Sequence, residues 1–250
     1  MRLLLTALAL GAAPLTAAHA GAPGQTVATR ADPAVAERAI KLAAMLNSDA
    51  IIVGNAKSDE EALALISQLW GAQEDLAGLE KRYPGISVAL AREVLPIINR
   101  SARERLGELH RRQAALYAAN FTAAELDTLI AFYGSPTGIK LIATMLASIR
   151  PNAVIAEASK SDDLRFGAES VLKDIRSAEP EIERAMDETD KAALTKLATS
   201  GLIPRLKALA PQTQTIALKW YDEEAPWEAA EIEKAMERVL ARFGKKKDRS

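Results

Sequence analysis

Residues 121–149 read FTAAELDTLIAFYGSPTGIKLIATMLASI, and their start and stop signals leave room for little except two helices joined by a corner. Thr122 is an N-cap with Glu125 at N3, so its hydroxyl can accept from an early backbone N–H while the carboxylate reaches back to the cap N–H. Phe121 and Leu126 stand at the staple positions on either side of that cap. Leu129, Ile130 and Tyr133 continue an apolar stripe at helical spacing. Gly134 then offers a left-handed exit, and Ser135-Pro136 restarts the chain as N-cap and N1. The second helix is expected to carry Ile139, Ile142, Met145, Leu146 and Ile149 along one side, with Pro151 limiting its extension.

The same signals recur along the chain, and with alanine and leucine abundant and β-branched runs rare they predict an all-α fold, a multi-helix bundle of helical hairpins. Asp32-Pro33 opens a helix with Val35, Ile40, Ala36, Ala39 and Ala43 on its apolar side, and Asn47-Ser48-Asp49 ends it. The apolar run 50–53 reads as a short buried helical turn, since no second strand stands near it. Ser58 and Glu61 form a capping box for a helix carrying Leu63, Ile66, Leu69 and Trp70, stopped by Tyr83-Pro84-Gly85. A long amphipathic pattern follows over 86–117, with Leu95, Ile98, Ala102, Leu106, Leu109 and Leu116, which Pro96 should kink or begin. Over 152–178 the apolar positions are Val154, Ile155, Ala158, Val171, Leu172 and Ile175; Ser161-Asp162-Asp163 is a break, and Pro180 marks the next boundary. The last helix takes Pro226 as N1, carries Ile232, Met236, Val239, Leu240 and Phe243, and ends at Gly244.

At a constant offset of 65, residues 186–206 echo 121–141: Met186, Asp187, Asp190, Leu194, Leu197, Ser200 and Leu206 stand where Phe121, Thr122, Glu125, Leu129, Phe132, Ser135 and Leu141 stand. The echo fails where Lys191 replaces Leu126 and at the corner, Ser200-Gly201-Leu202-Ile203. Degenerate duplication and chance agreement between helical hairpins both remain open.

The pattern Tyr117, Phe121-Thr122, Glu125-Leu126, Phe132-Tyr133, Ser135-Pro136, Gly138, Lys140-Leu141 resembles the bacterial envelope family known as domain of unknown function 2059 (DUF2059). The resemblance covers roughly residues 90–150 and consists of caps and core positions. It implies an all-helical secreted protein and supplies no catalytic residues.

Met1-Arg2, a short run over 3–13 that is apolar apart from Thr6, and Ala18-His19-Ala20 have the form of a secretory signal peptide cleaved after Ala20. The run is too short to span a membrane, so no transmembrane segment is expected after cleavage, and the expected location is secreted, in the periplasm. Residues 1–20 are thus the signal peptide, 21–31 a disordered leader, 32–85 the N-terminal helices, 86–178 a central helical domain, 179–244 a C-terminal helical region and 245–250 a basic tail. Removing residues 1–20 takes one of 32 basic residues, against 33 acidic ones, and leaves a formal charge of −2. That balance argues against nucleic acid as a partner, because phosphate binding needs a concentrated basic surface. The absence of cysteine excludes disulfides and lipid attachment to a mature N-terminal cysteine.

His110, the one histidine of the mature chain, lies beside Arg111-Arg112 without a second histidine or a cysteine for zinc, and a satisfied or exposed surface histidine is the favoured reading. Arg100, Arg103, Arg105, Arg111 and Arg112 read as a solvated face, with Glu108 at ion-pair spacing from Arg111 and Arg112; an anion-binding patch is the sharper alternative. Asp162-Asp163, Asp187-Glu188-Asp190 and Asp222-Glu223-Glu224 each fall at an expected helix start, where carboxylates favour the dipole. Trp220, Tyr221 and Trp227 read as packing at a helix junction before a ligand cleft. No catalytic, cofactor-binding or metal residue is assigned, and no cofactor or oligomeric state. The favoured function is a non-enzymatic interaction or binding protein of the bacterial envelope, with a protein partner or apolar ligand. A carboxylate-dependent hydrolase and a binder of amphiphilic or apolar ligands are the alternatives. Two carboxyls with raised pKa in one cleft would favour the hydrolase.

Overall fold

The computed structural model describes residues 32–52, 60, 63–64, 74–158, 160 and 166–247. Residues 1–20 and 21–31, read above as signal peptide and leader, lie outside them, as do the Ser58/Glu61 capping box expected with Ile66, Leu69 and Trp70, the break expected at 161–163, and the side chains of residues 245–250. Among the described residues the chain forms eleven helices: α1 Pro33–Leu46, α2 Asp49–Ile52, α3 Glu74–Arg82, α4 Ile86–Asn120, α5 Ala123–Tyr133, α6 Pro136–Ser148, α7 Asn152–Ala158, α8 Ala168–Ala185, α9 Glu188–Thr199, α10 Leu202–Asp222 and α11 Glu228–Lys247. The expected all-α class stands.

The packing centre is α4. At 35 residues it is about 50 Å long, and α1, α2, α3, α10 and α11 all lie against it. One core groups its N-terminal half (Ile86, Leu90, Leu95) with Met145, Ile149, Val171, Ile175 and Trp220. A second groups Leu42 and Leu46 of α1 with Tyr117, Phe121, Leu126, Leu129, Leu206 and Leu209.

Local signals placed the hairpin correctly. Thr122 Oγ1 accepts from the Glu125 amide, the Glu125 carboxylate accepts the Thr122 amide at 2.8 Å, and Phe121 and Leu126 are both buried in one cluster. Ser135 Oγ accepts from the Gly138 amide at 3.2 Å and caps α6. Thr122→Ala is expected to lower stability by about 1 kcal/mol, since the cap side chain and half of the box go together; urea melts that coincide with those of the parent would show that this cap contributes nothing.

Several readings are corrected. Gly134 has φ −84°, ψ −6°, so the corner needs no left-handed residue. The glycine it does need is Gly138, whose added Cβ would stand 2.2 Å from the Phe132 carbonyl oxygen. Pro180 is interior to α8, as Pro96 is to α4 and Pro211 to α10. All three prolines face solvent, where water can take the carbonyl that loses its N–H partner, so the boundary expected at Pro180 moves to Met186. The last helix starts regularly at Glu228, after a turn closed by the Glu228 amide on the Ala225 carbonyl, and it passes Gly244 to reach Lys247.

Individual members of three expected apolar faces lie at the surface, while Ala39, Ala43, Met145, Ile149 and Val239 are buried as expected. Ile40 is exposed while Ala39, Leu42, Ala43 and Leu46 are buried. Ile139 is 59% exposed, whereas Leu141 and Met145 are buried; on α11, Ala235 and Val239 are buried while Met236 and Leu240 are each 41% exposed. On α1 and α11 the small residues face α4, where helix backbones approach closely, and the larger neighbour one position away falls at the rim.

Candidate functional site

His110, Gln113 and Tyr117 stand on one side of α4 at helical spacing, against the C-terminal end of α1. The His110 Nε2 is 2.8 Å from the Asn47 carbonyl oxygen. Asn47 Nδ2 donates to the Gln113 Oε1 at 2.6 Å and to the Ala43 carbonyl at 2.9 Å, so a buried asparagine and glutamine finish α1 from within. His110 is therefore the satisfied histidine expected, held through a backbone carbonyl. Beside it, Asn47 Oδ1 and the Tyr117 hydroxyl are buried without a hydrogen-bond partner among the described residues. Burial, with a smaller contribution from Tyr133, pushes the Tyr117 hydroxyl far above its ordinary pKa, so it stays neutral and can accept or donate one hydrogen bond. Asn47 was read only as part of the stop that ends the first helix, which it does, and Gln113 was not singled out, because polar residues in an amphipathic pattern read as solvent-facing.

Four of the five arginines, Arg100, Arg103, Arg105 and Arg112, bond to other helices or their ends, while Arg111 is exposed, as a solvated face predicts. Arg112 makes two bonds to the Glu223 carboxylate, at 2.8 and 2.6 Å, and a third to Glu108. Glu223 and Glu108 hold its guanidinium charged, raising its pKa despite partial burial. Arg105 donates to the Trp220 carbonyl at 2.8 Å, while Trp220 Nε1 donates back to the Arg105 carbonyl at 3.1 Å. The Arg105 guanidinium also lies over the Trp220 ring, 4.8 Å from its centroid. Asp222-Glu223-Glu224 thus falls at the C-terminal end of α10, not at a helix start as expected, and two arginines of α4 supply the positive charge that end favours. Arg100 lies 3.6 Å over Trp227 and pairs with Glu231 at 2.8 Å, and Arg103 pairs with Asp49 at 3.1 Å. The aromatics pack as expected: Trp220 and Tyr221 are buried edge to face, and the Tyr221 hydroxyl donates to the Ile52 carbonyl at 3.1 Å.

A third constellation joins the two hairpins. Lys140 of α6 bonds to Asp187 at 3.2 Å and to Asp190, and Thr137 donates to the other Asp190 oxygen at 2.7 Å. Asp187 and Asp190 form the capping box of α9. Lys140 first, then Thr137, hold the Asp190 carboxyl down at about 2. On the other side, Arg205 of α10 donates to the Glu125 carboxylate and the Asn120 carbonyl and stacks 4.7 Å over Phe121.

Among the described residues the shifted carboxyls all move the same way. Glu80, Glu93, Glu125, Asp187, Asp190 and Glu223 are each lowered, by amide donors or by Arg and Lys partners. A hydrolase general acid needs the opposite shift. No group of three or more His, Asp or Glu side chains suited to a metal ion occurs among the described residues. No single helix among them is long and apolar enough to cross a membrane; α5 and α6 reach that length and apolarity only as a pair bent by 68°.

Residues 107–159, which hold His110, Gln113, Tyr117, the first hairpin and Lys140, match a family model described as an uncharacterized protein conserved in bacteria, DUF2059. This stretch is similar to DUF2059. The resemblance drawn from caps and core positions is thereby met, with its bounds moved toward the C-terminus. No curated protein and no solved structure matches the chain. The DUF2059-like stretch contains the α4 side of the polar cluster and the α6 side of the hairpin seam; their partners, Asn47, Asp187, Asp190 and Arg205, lie outside it.

Proposed function

We propose that the protein acts by holding a partner in the bacterial envelope compartment and not by turning over a substrate. The observation that carries this reading is the commitment of its reactive side chains to joining helices. His110 is bound to the end of α1, Arg105 and Arg112 to the end of α10, and Asp187 and Asp190 to a cap and to Lys140. The lowered pKa of each shifted carboxyl supports the same reading. The signal-peptide form of residues 1–20 supports the compartment. The surface this reading assigns to the partner is on α11, where Met236 and Leu240 stand exposed at i, i+4 spacing while Ala235 and Val239 pack inward.

Complementation of a deletion strain tests it. His110→Ala is expected to complement fully, whereas Met236→Lys/Leu240→Lys is expected to lose complementation with an unchanged melting curve. Loss of complementation by a folded carboxylate-to-amide variant, together with turnover by pure protein, would replace this reading with the hydrolase.

A further inference from the structure

The 65-residue offset reaches well beyond the hairpins. α4 and α8 end in register, at Asn120 and Ala185. Three of their buried positions correspond, with Leu109, Gln113 and Tyr117 on α4 standing where Asp174, Ala178 and Ile182 stand on α8. On the helices after the corners, Thr137, Leu141, Met145, Ser148 and Ile149 are buried, and so are Leu202, Leu206, Ala210, Thr213 and Gln214. Both hairpins open with a complete capping box preceded by a buried apolar residue, Phe121 in one and Met186 in the other. Unrelated helical hairpins share a period, but a shared period does not by itself keep one offset through three helices and a cap.

The contacts between the two halves are reciprocal. Lys140 donates to Asp190, the N3 residue of the second capping box. Its equivalent 65 positions on is Arg205, which donates to Glu125, the N3 residue of the first box. The helices repeat the exchange: α6 packs on α8, and their counterparts α10 and α4 pack on each other. A contact from i to j matched by one from j to i is the mark of an isologous, twofold interface. Here both halves belong to one chain.

We propose that residues 103–149 and 168–214 are two copies of one three-helix unit docked about a local twofold axis, so that each unit's docking face is built to receive another copy of that unit. The departures have local reasons. Leu126 is buried among the side chains of α1, whereas among the described residues no such helix packs over α9 beside Lys191, which is exposed and paired with Glu188. At the second corner Gly201 takes φ 76°, the left-handed turn that the first corner replaces with the close approach at Gly138. The DUF2059-like match stops at residue 159, before the second copy begins.

Charge reversal in the full chain tests the surface. One variant carries Lys140→Glu and Arg205→Glu, a second Glu125→Lys and Asp190→Lys. Within either variant both clasps are like-charged; between the two every clasp is complementary. Each alone is expected to melt below the parent as a monomer, and equimolar co-refolding is expected to give a 1:1 heterodimer by light scattering that melts above both. Co-refolded material that stays monomeric overturns the self-complementary surface. Single reversals decide the point if the double ones do not fold. Lys140→Glu must be rescued by Asp190→Lys and not by Glu125→Lys, and Arg205→Glu by Glu125→Lys and not by Asp190→Lys; rescue by the acid of the same hairpin, or no loss to rescue, also overturns it.

Discussion

Gly138→Ala is expected to lower the stability of the chain by at least about 3 kcal/mol, with urea unfolding as the measurement. An added Cβ would stand 2.2 Å from the Phe132 carbonyl oxygen, 2.6 Å from the Tyr133 Cα and 2.9 Å from the Phe132 carbonyl carbon. All three are backbone atoms at the end of α5, so no side chain can swing away. Relief requires α6 to move off α5, and that draws Lys140 and Thr137 from Asp190. A loss under about 1 kcal/mol would mean that the corner yields without disturbing either helix.

Trp220→Ala should rank next, at about 3–5 kcal/mol, or roughly 10 °C in Tm for a chain of this size. Trp220 is fully buried, meets Tyr221 edge to face at 4.8 Å and joins α10 to α4 by the reciprocal pair with Arg105. Its removal opens a large cavity between those helices and takes the ring from under a partly buried guanidinium. Trp220→Phe keeps much of the volume and loses the Nε1 donor, but the Arg105 carbonyl still accepts within α4, so it should cost about 0.5–1.5 kcal/mol, the net worth of one hydrogen bond. If alanine and phenylalanine cost the same, the hydrogen bond and not the packing dominates at this seam.

Helix class, most helix starts and the first hairpin were legible from residue order. Caps and staples act over three or four residues, as Thr122, Ser135 and Asp187 do, and that range lies within a sequence window. Helix ends at proline were less legible. Whether Pro180 stops a helix depends on whether the carbonyl it frees meets water, which is a property of the neighbours. Which members of an apolar stripe reach the core was misjudged at Ile40, Ile139, Met236 and Leu240 for the same reason.

The candidate site divides in the same way. His110 and the arginines could be picked out by type, and their bland roles were the favoured reading. Their partners could not be: Asn47 is 63 positions from His110, Glu223 is 111 from Arg112, and Asp190 is 50 from Lys140. Residue order alone therefore specified an all-helical chain with a DUF2059-like hairpin and a faint echo 65 residues later. Tertiary structure alone decided that α4 is the packing centre and that each hairpin's cation sits on the other's cap. Capping free energy is local, and residues three apart carry its signature. Burial and ion pairing between helices depend on which distant surfaces meet, and no window of sequence contains both surfaces.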